Sequence, residues 1–546
     1  MSARLQPVSV SATQRRVPFD LETADRNPGW RDNVAWPVPA SEFGPVVLGA
    51  SRSLIAFLGT LPEGEARAAA LLAAPLILSR AGALILAAKC LEGEAATGVH
   101  LAGGPSELSY LRGESPAETA MAPLVEGAPL RPVRAAALRR LARMWTWTGP
   151  LGLAAAWLAP EACAVGHNDL LVKVARERRV RLGYDHAHLL FRRLRTRSPA
   201  ARGGFDVAPV ARAMVQVVTA KLRVDAPLRA RLDSLIEDLA VTLLRRAADD
   251  LAALRDWRGA PRALWSANGG YYPARALALE VLRRGGEVTG FAHGGGTGLV
   301  DTIEPLALGD LAVATRFVVA TPGIAAYVRA LGGPAMVAPL RAVEVVGDSG
   351  NPLFAGLGGR ASGLASAKPP AEPGMAGRRK VLYVSTALCG FRTLMPPSLP
   401  DPVYLDWVMR LAGWLRERPV DLLCQPHPEG LYYRRRHPLS DVAPTNPGTF
   451  EEVMSDRDVF VFDWPHSTTF WKALCTDKPI VFIDLGLSGF APGVADLIAR
   501  RCRVVRATYD HRNLPQVDWR ELEEAVRGAP AAADGAPFRR LLAGED

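Results

Sequence analysis

One stretch constrains the chain more than any other: Asp458–Asp484, DVFVFDWPHSTTFWKALCTDKPIVFID. Its apolar run Val459–Phe462 reads as a buried strand. The run stops at Asp463-Trp464-Pro465-His466, and Ser467, Thr468 and Thr469 can open the helix that follows. After Lys478-Pro479 a second apolar run, Ile480–Ile483, begins. This is a βαβ unit with hydroxyls at the mouth of its helix. Free N–H groups and the helix dipole favour an anion there, and ligands of parallel sheets sit at the carboxyl ends of strands. The stretch reads as a seat for a nucleotide phosphate.

The chain has 546 residues, enough for two to four domains. It is 49% hydrophobic and 22% charged, so it can bury real cores. A net charge of +10 suits anionic partners such as nucleotides or anionic lipid. Only seven of the 65 basic residues are Lys, and no zinc finger, RNA-binding signature or dense basic block is present. No nucleic acid partner is therefore expected. The six cysteines form no C-x-x-C pair, which fits reduced thiols in the cytosol. The N-terminus lacks the apolar core of a signal peptide. The most apolar stretch, residues 68–88, is interrupted by Pro75 and Arg80 and reads as a buried helical hairpin rather than a membrane span. A cytoplasmic chain is expected, with contact to the inner face of the cytoplasmic membrane as a further expectation.

Composition divides the chain into five parts. Residues 1–42 are polar and read as a poorly ordered segment, and 43–204 as a mainly helical region. Residues 205–352 open with long amphipathic helices. They then alternate apolar runs with small turn residues (ALWSAN, EVTGFAHGGG, FVVATPG, VEVVGDSG), as in a doubly wound α/β domain. Residues 353–379, rich in Gly, Ala, Ser and Pro, read as a linker. Residues 380–546 form a second such domain.

The motifs fall at predicted strand ends. His293 precedes Gly294, Gly295 and Gly296, where backbone can approach a ligand closely and an imidazole can move a proton. A tight turn with an incidental His is the plainer reading. His427 lies between Pro426 and Pro428, which hold it in an extended exit loop. Ser467, Thr468 and Thr469, with Asp463 and His466 beside them, make the helix mouth, although simple capping is the commoner use of such residues. Asn268 and Tyr271 end another strand and would line the cleft. Ser385 and Thr386 end the first strand of the second domain, with Arg392 behind them. Glu451 opens a helix and would hold a ribose, or only stabilise that helix by its charge. Asp301 and Glu304 are acidic alternatives to His293 as a base. Asp185, His186 and His188 resemble a metal pair without further ligands, so no metal is expected.

His-Gly at one strand end, His-Pro after another and a hydroxyl cluster opening the next helix together resemble the GT-B glycosyltransferase clan. The likeness is to bacterial surface-polymer enzymes using CMP- or CDP-activated donors, including CDP-glycerol glycerophosphotransferases, and it covers residues 260–510. The resemblance implies a GT-B-like α/β fold, with two Rossmann-type domains facing a cleft and an extra helical N-terminal region. It implies a nucleotide-activated sugar as co-substrate, a glycan or lipid-linked acceptor, and no metal or other cofactor. His427, Ser467 and Thr468 would contact the donor phosphate, and His293 would face the acceptor. Ser-Thr-Thr stands where that clan has a Ser pair. A nucleotide-sugar 2-epimerase and a non-catalytic glycan- or nucleotide-binding module are the alternative readings.

Overall fold

The computed structural model describes residues 15–27, 29–114, 142, 149, 160–185, 204–358, 378–390, 398–432, 435–529 and 533–545. Strands β1 (Arg15–Pro18) and β2 (Val99–Ala102) pair in parallel at the N-terminal end. Two larger sheets, both wholly parallel, carry the architecture. The first contains β3 (Ala162–Val165), β4 (Leu182–Asp185), β5 (Ala263–Ser266), β6 (Glu287–Phe291), β7 (Arg316–Val319) and β8 (Glu344–Gly347), ordered β4-β3-β5-β6-β7-β8. The second contains β9 (Arg379–Val384), β10 (Val420–Gln425), β11 (Val459–Phe462), β12 (Ile480–Asp484) and β13 (Arg503–Arg506), ordered β10-β9-β11-β12-β13.

Both orders reverse direction once, beside the first strand of each sheet. That reversal is the topological switch point at which open α/β sheets bind ligands. The first sheet buries both faces: Ala164 and Val318 enter one apolar cluster, while Val165, Phe317 and Val319 enter another. Alternate residues of a strand point to opposite faces, so continuous apolar runs are what such a sheet requires.

This first sheet reaches back past residue 205. Strand β3, which lies within the region read as mainly helical, pairs with β5. The helices expected to open the first domain pack instead on the N-terminal ones. Here α1 (Phe43–Thr60), α2 (Glu65–Thr97), α3 (Val207–Thr219) and α4 (Ala226–Arg255) form one helical layer. Its Ala and Leu faces, among them Ala70, Ala74, Ala81, Leu239, Leu243 and Ala247, are almost fully buried. Residues 15–27 and 29–42 are also packed rather than loose. Val17, Trp30 and Trp36 are buried, and the Trp36 N–H donates to Arg512 O at 2.9 Å.

Helix α2 corrects a second expectation, because it is one continuous helix through Pro75 and not a hairpin. It is apolar and long enough to cross a membrane, but 72% of its most apolar window is buried inside the protein. Proline has no N–H, so the Leu71 carbonyl loses its helical partner. Arg275, on α5 (Tyr272–Arg283), supplies another: its Nε donates to Leu71 O at 2.6 Å. The same guanidinium donates through Nη1 to Leu308 O and Gly309 O, both at 2.8 Å. Arg275 is fully buried, which pushes its pKa down to about 9, so it remains charged at neutral pH. The helical layer is thereby tied to the first sheet at the point where proline breaks the helix's own bonding.

Arg275→Met strands these carbonyls, and each buried unmet acceptor costs about 1–3 kcal/mol. Its melting temperature should fall by several degrees. In a Pro75→Ala background the Leu71 carbonyl regains an N–H, so the same change should cost about 1 kcal/mol less. Denaturant unfolding of the four proteins of this cycle checks it, and additive effects would remove the Pro75–Arg275 link.

Candidate functional site

The second sheet brings three predicted motifs to one end. Strand β9 lies hydrogen-bonded between β10 and β11, so the exits of β10 and β11 stand about 10 Å apart with that of β9 between them. These exits carry His427, Ser385 with Thr386, and the run Asp463–Thr469. The last two flank the switch point. Ser385 is buried, and its hydroxyl has no protein partner.

Asp463 is the hub of this mouth, in a way its sequence context does not reveal. Its carboxylate accepts from Tyr383 Oη at 2.6 Å, and from Trp407 Nε1 at 2.9 Å and Tyr404 Oη at 3.0 Å, both on α6 (Asp401–Arg416). The Tyr404 hydroxyl in turn accepts from the Thr386 N–H at 2.8 Å. Asp463 is 1% exposed and spends its oxygens on these donors, so it shapes the exits of β9 and β11 rather than offering itself to a ligand. Burial pushes its pKa up to about 6, against the pull of the three donors.

The helix after β11 is α7 (Thr468–Cys475), with Ser467 at its N-cap. Ser467 makes no side-chain capping bond, so capping does not account for its hydroxyl. Ser467, Thr468 and Thr469 are all half-buried. His466 Nε2 lies 3.0 Å from Ser488 Oγ, and burial pushes its pKa down to about 3, which keeps it neutral. His427 accepts the Glu429 N–H on Nδ1 at 3.1 Å, which leaves Nε2 as the protonated nitrogen of the neutral ring. Burial also lowers its pKa. Pro428 is exposed beside it.

In the first sheet, Asn268 and His293 end the neighbouring strands β5 and β6, and both are exposed. Asn168 fixes the β6 exit. Its Oδ1 caps its own helix through Leu170 N, and its Nδ2 donates to Ala292 O at 2.9 Å. The Asn168-Asp169-Leu170 run signals a cap in the sequence, but the reach to Ala292 is visible only in the fold. Gly269 N–H donates to Asp310 Oδ1 at 2.8 Å, and Tyr271 stands 36% exposed on the same turn.

The glycine loop after His293 meets α7. A Cβ on Gly294 would lie 2.8 Å from Thr468 Oγ1, and one on Gly295 would lie 2.2 Å from Trp471 Cβ. Trp471 is itself fixed by donation from Nε1 to Pro465 O at 2.7 Å. The glycines therefore admit the other domain, so the close approach expected of a ligand is made by protein. Just beyond, Val300 and Phe490 form an antiparallel bridge, and the Asp301 N–H donates to Gly489 O at 3.1 Å. His293 and the hydroxyl mouth of α7 are thus brought together from opposite domains.

Other predicted residues are committed elsewhere. Glu304 is fully buried and paired with Arg52 of α1, tying the helical layer to the first domain. Glu451 is paired with Lys472 of α7, and this pairing lowers its pKa against the effect of burial. Asp301 is exposed at the seam between the domains, and partial desolvation there raises its pKa. Arg392 lies outside the described residues, as do His186 and His188. Among the described residues no three His, Cys, Asp or Glu side chains stand close enough to share a metal ion.

No family model matches the chain, and no curated protein matches it. Two solved structures align with it. One is an α,α-trehalose-phosphate synthase (UDP-forming) from Burkholderia vietnamiensis, 13% identical, with a TM-score of 0.33 over 70% of this chain and 92% of that one. The other is an α,α-trehalose 6-phosphate synthase from Burkholderia multivorans, 14% identical, with a TM-score of 0.33 over 70% of this chain and 91% of that one. Likeness at that level carries no argument about activity. The GT-B-like architecture rests on the two parallel sheets themselves, whose carboxyl ends meet through the glycine loop and α7.

Gly295→Ala should force the domains apart, because its new methyl would overlap Trp471. A lower melting temperature and a larger radius of gyration in X-ray scattering are expected, and an unchanged profile would contradict the contact. Asp463 gives a pH signature. Its folded-state pKa lies above the usual value near 3.9, so its contribution to stability is complete below about pH 4 and is lost as pH rises through about 6. The loss is on the order of 3 kcal/mol. The stability difference between wild type and Asp463→Asn should therefore shift in favour of the variant between pH 4 and 7. A flat difference in denaturant unfolding would mean that Asp463 titrates normally.

Proposed function

We propose that this protein is a glycosyltransferase that moves a sugar from a nucleotide-activated donor, CMP- or CDP-linked, to a glycan acceptor. The observation that carries the reading is the convergence at the second switch point. Ser467, Thr468 and Thr469 open α7 there, with His427 two strands away and His293 facing them from the other domain. Hydroxyls and free N–H groups at a helix start bind phosphate oxygens and stabilise the charge that develops on a departing nucleotide. The protonated Nε2 of His427 adds a further donor. His293 is placed to align an acceptor hydroxyl and take its proton, with Asp301 as the alternative base, since its raised pKa moves it toward the range useful for proton transfer. The two domains meeting over the site would exclude water and limit donor hydrolysis.

Thermal shifts with CMP, CDP, UDP and GDP test the donor. At about 100 times its Kd, a nucleotide bound to the native state adds about 2.7 kcal/mol of stability. His427→Ala, and separately the pair Ser467→Ala with Thr468→Ala, should weaken nucleotide affinity about 10- to 100-fold, the value of a charge-assisted hydrogen bond. His293→Ala should keep that affinity and lose about 10²–10⁴-fold in turnover. If none of the four nucleotides shifts the melting temperature, the reading fails.

A further inference from the structure

A cavity of about 80 Å³ lies between the helical layer and the exit loop of β9, with room for several water-sized groups. Trp36, Phe43 and Val47, Ala83 and Leu86 of α2, and Leu399 are among the apolar side chains of its wall. A water there would find few of the two to four polar partners it needs. The charged groups of the lining are already engaged. Lys89 pairs with Glu42 at 2.9 Å. Asp401 accepts the Cys389 N–H at 3.1 Å and the Gly390 N–H at 2.6 Å. Asp20 accepts the Thr23 N–H at 2.8 Å. With three carboxylates and one ammonium, the lining repels a phosphate-rich ligand.

We propose that this cavity seats a hydrocarbon chain borne by the acceptor, an alkyl or prenyl tail whose uncharged head reaches the catalytic mouth. The proposal rests on the transferase reading for the word acceptor. Location supports it. The cavity wall at Cys389 and Gly390 continues the exit loop that begins with Ser385 and Thr386. The Leu431 N–H donates to Leu388 O at 2.8 Å, which packs the His427 loop against the same wall. A tail in the cavity would therefore be anchored beside two of the three exit loops of the proposed nucleotide seat.

Calorimetric titration of the full chain with hexyl, heptyl and octyl β-glucosides below their micelle concentrations, and with glucose, tests the proposal. Affinity should rise about two- to fourfold per added methylene, with no binding of glucose. Ala83→Phe, which fills the cavity, should weaken octyl glucoside at least tenfold and leave nucleotide affinity unchanged. Leu86→Trp, at a partly exposed position, serves the same purpose if the first variant does not fold. Affinity independent of chain length, or unchanged in a folded filled variant, overturns the proposal. Chain-length-dependent binding by a protein that binds no nucleotide would retain the hydrocarbon site and overturn its assignment to an acceptor.

Discussion

The seating of Trp471 against Gly295 and Gly296, with Thr468 against Gly294, governs how the two domains meet. A side chain at Gly295 would occupy the space of the Trp471 Cβ, and the indole is pinned by its bond to Pro465 O. Because no side chain intervenes, the start of α7 comes within reach of the residue following His293. The bridge between Val300 and Phe490 extends the same seam. Dispersion and burial at this contact are non-directional, but the missing side chains make its geometry specific.

A second junction also holds the domains together. The C-terminal segment returns to the first sheet, where Thr321 Oγ1 donates to Leu541 O at 2.7 Å and the Asn351 N–H donates to Leu542 O at 2.9 Å. The helical layer adds Arg275 and the Arg52–Glu304 pair. In the first a buried guanidinium meets carbonyls that would otherwise lack a partner, and in the second the exposed Arg52 meets the buried Glu304 carboxylate; breaking such a pairing costs more than forming it gains.

Most strands of both sheets were legible because buried parallel strands are largely apolar and stop at small or turn residues; β4, Leu-Gly-Tyr-Asp, was not. The hydroxyl mouth and the His-Pro loop were legible for the same reason, since each directly follows such a run. Pairing between distant segments was not legible. The run Ala162–Val165 reads as a short strand, but nothing local shows that it joins β5, a hundred residues later. Residue type alone also misassigned Glu304 and Asp463. A carboxylate near a strand end looks available until the fold supplies Arg52 to one and two tyrosines and a tryptophan to the other. The glycines after His293 were read as a place where a ligand approaches the backbone, whereas the group that approaches them in the fold is Trp471.

The most direct test of the account is a structure of the protein with the nucleoside diphosphate that most raises its melting temperature. The account predicts the phosphates at the start of α7, bonded to Ser467–Thr469 and to Nε2 of His427, with His293 across the seam. Phosphates at the switch point of the first sheet, beside Asn168 and Asn268, would contradict it.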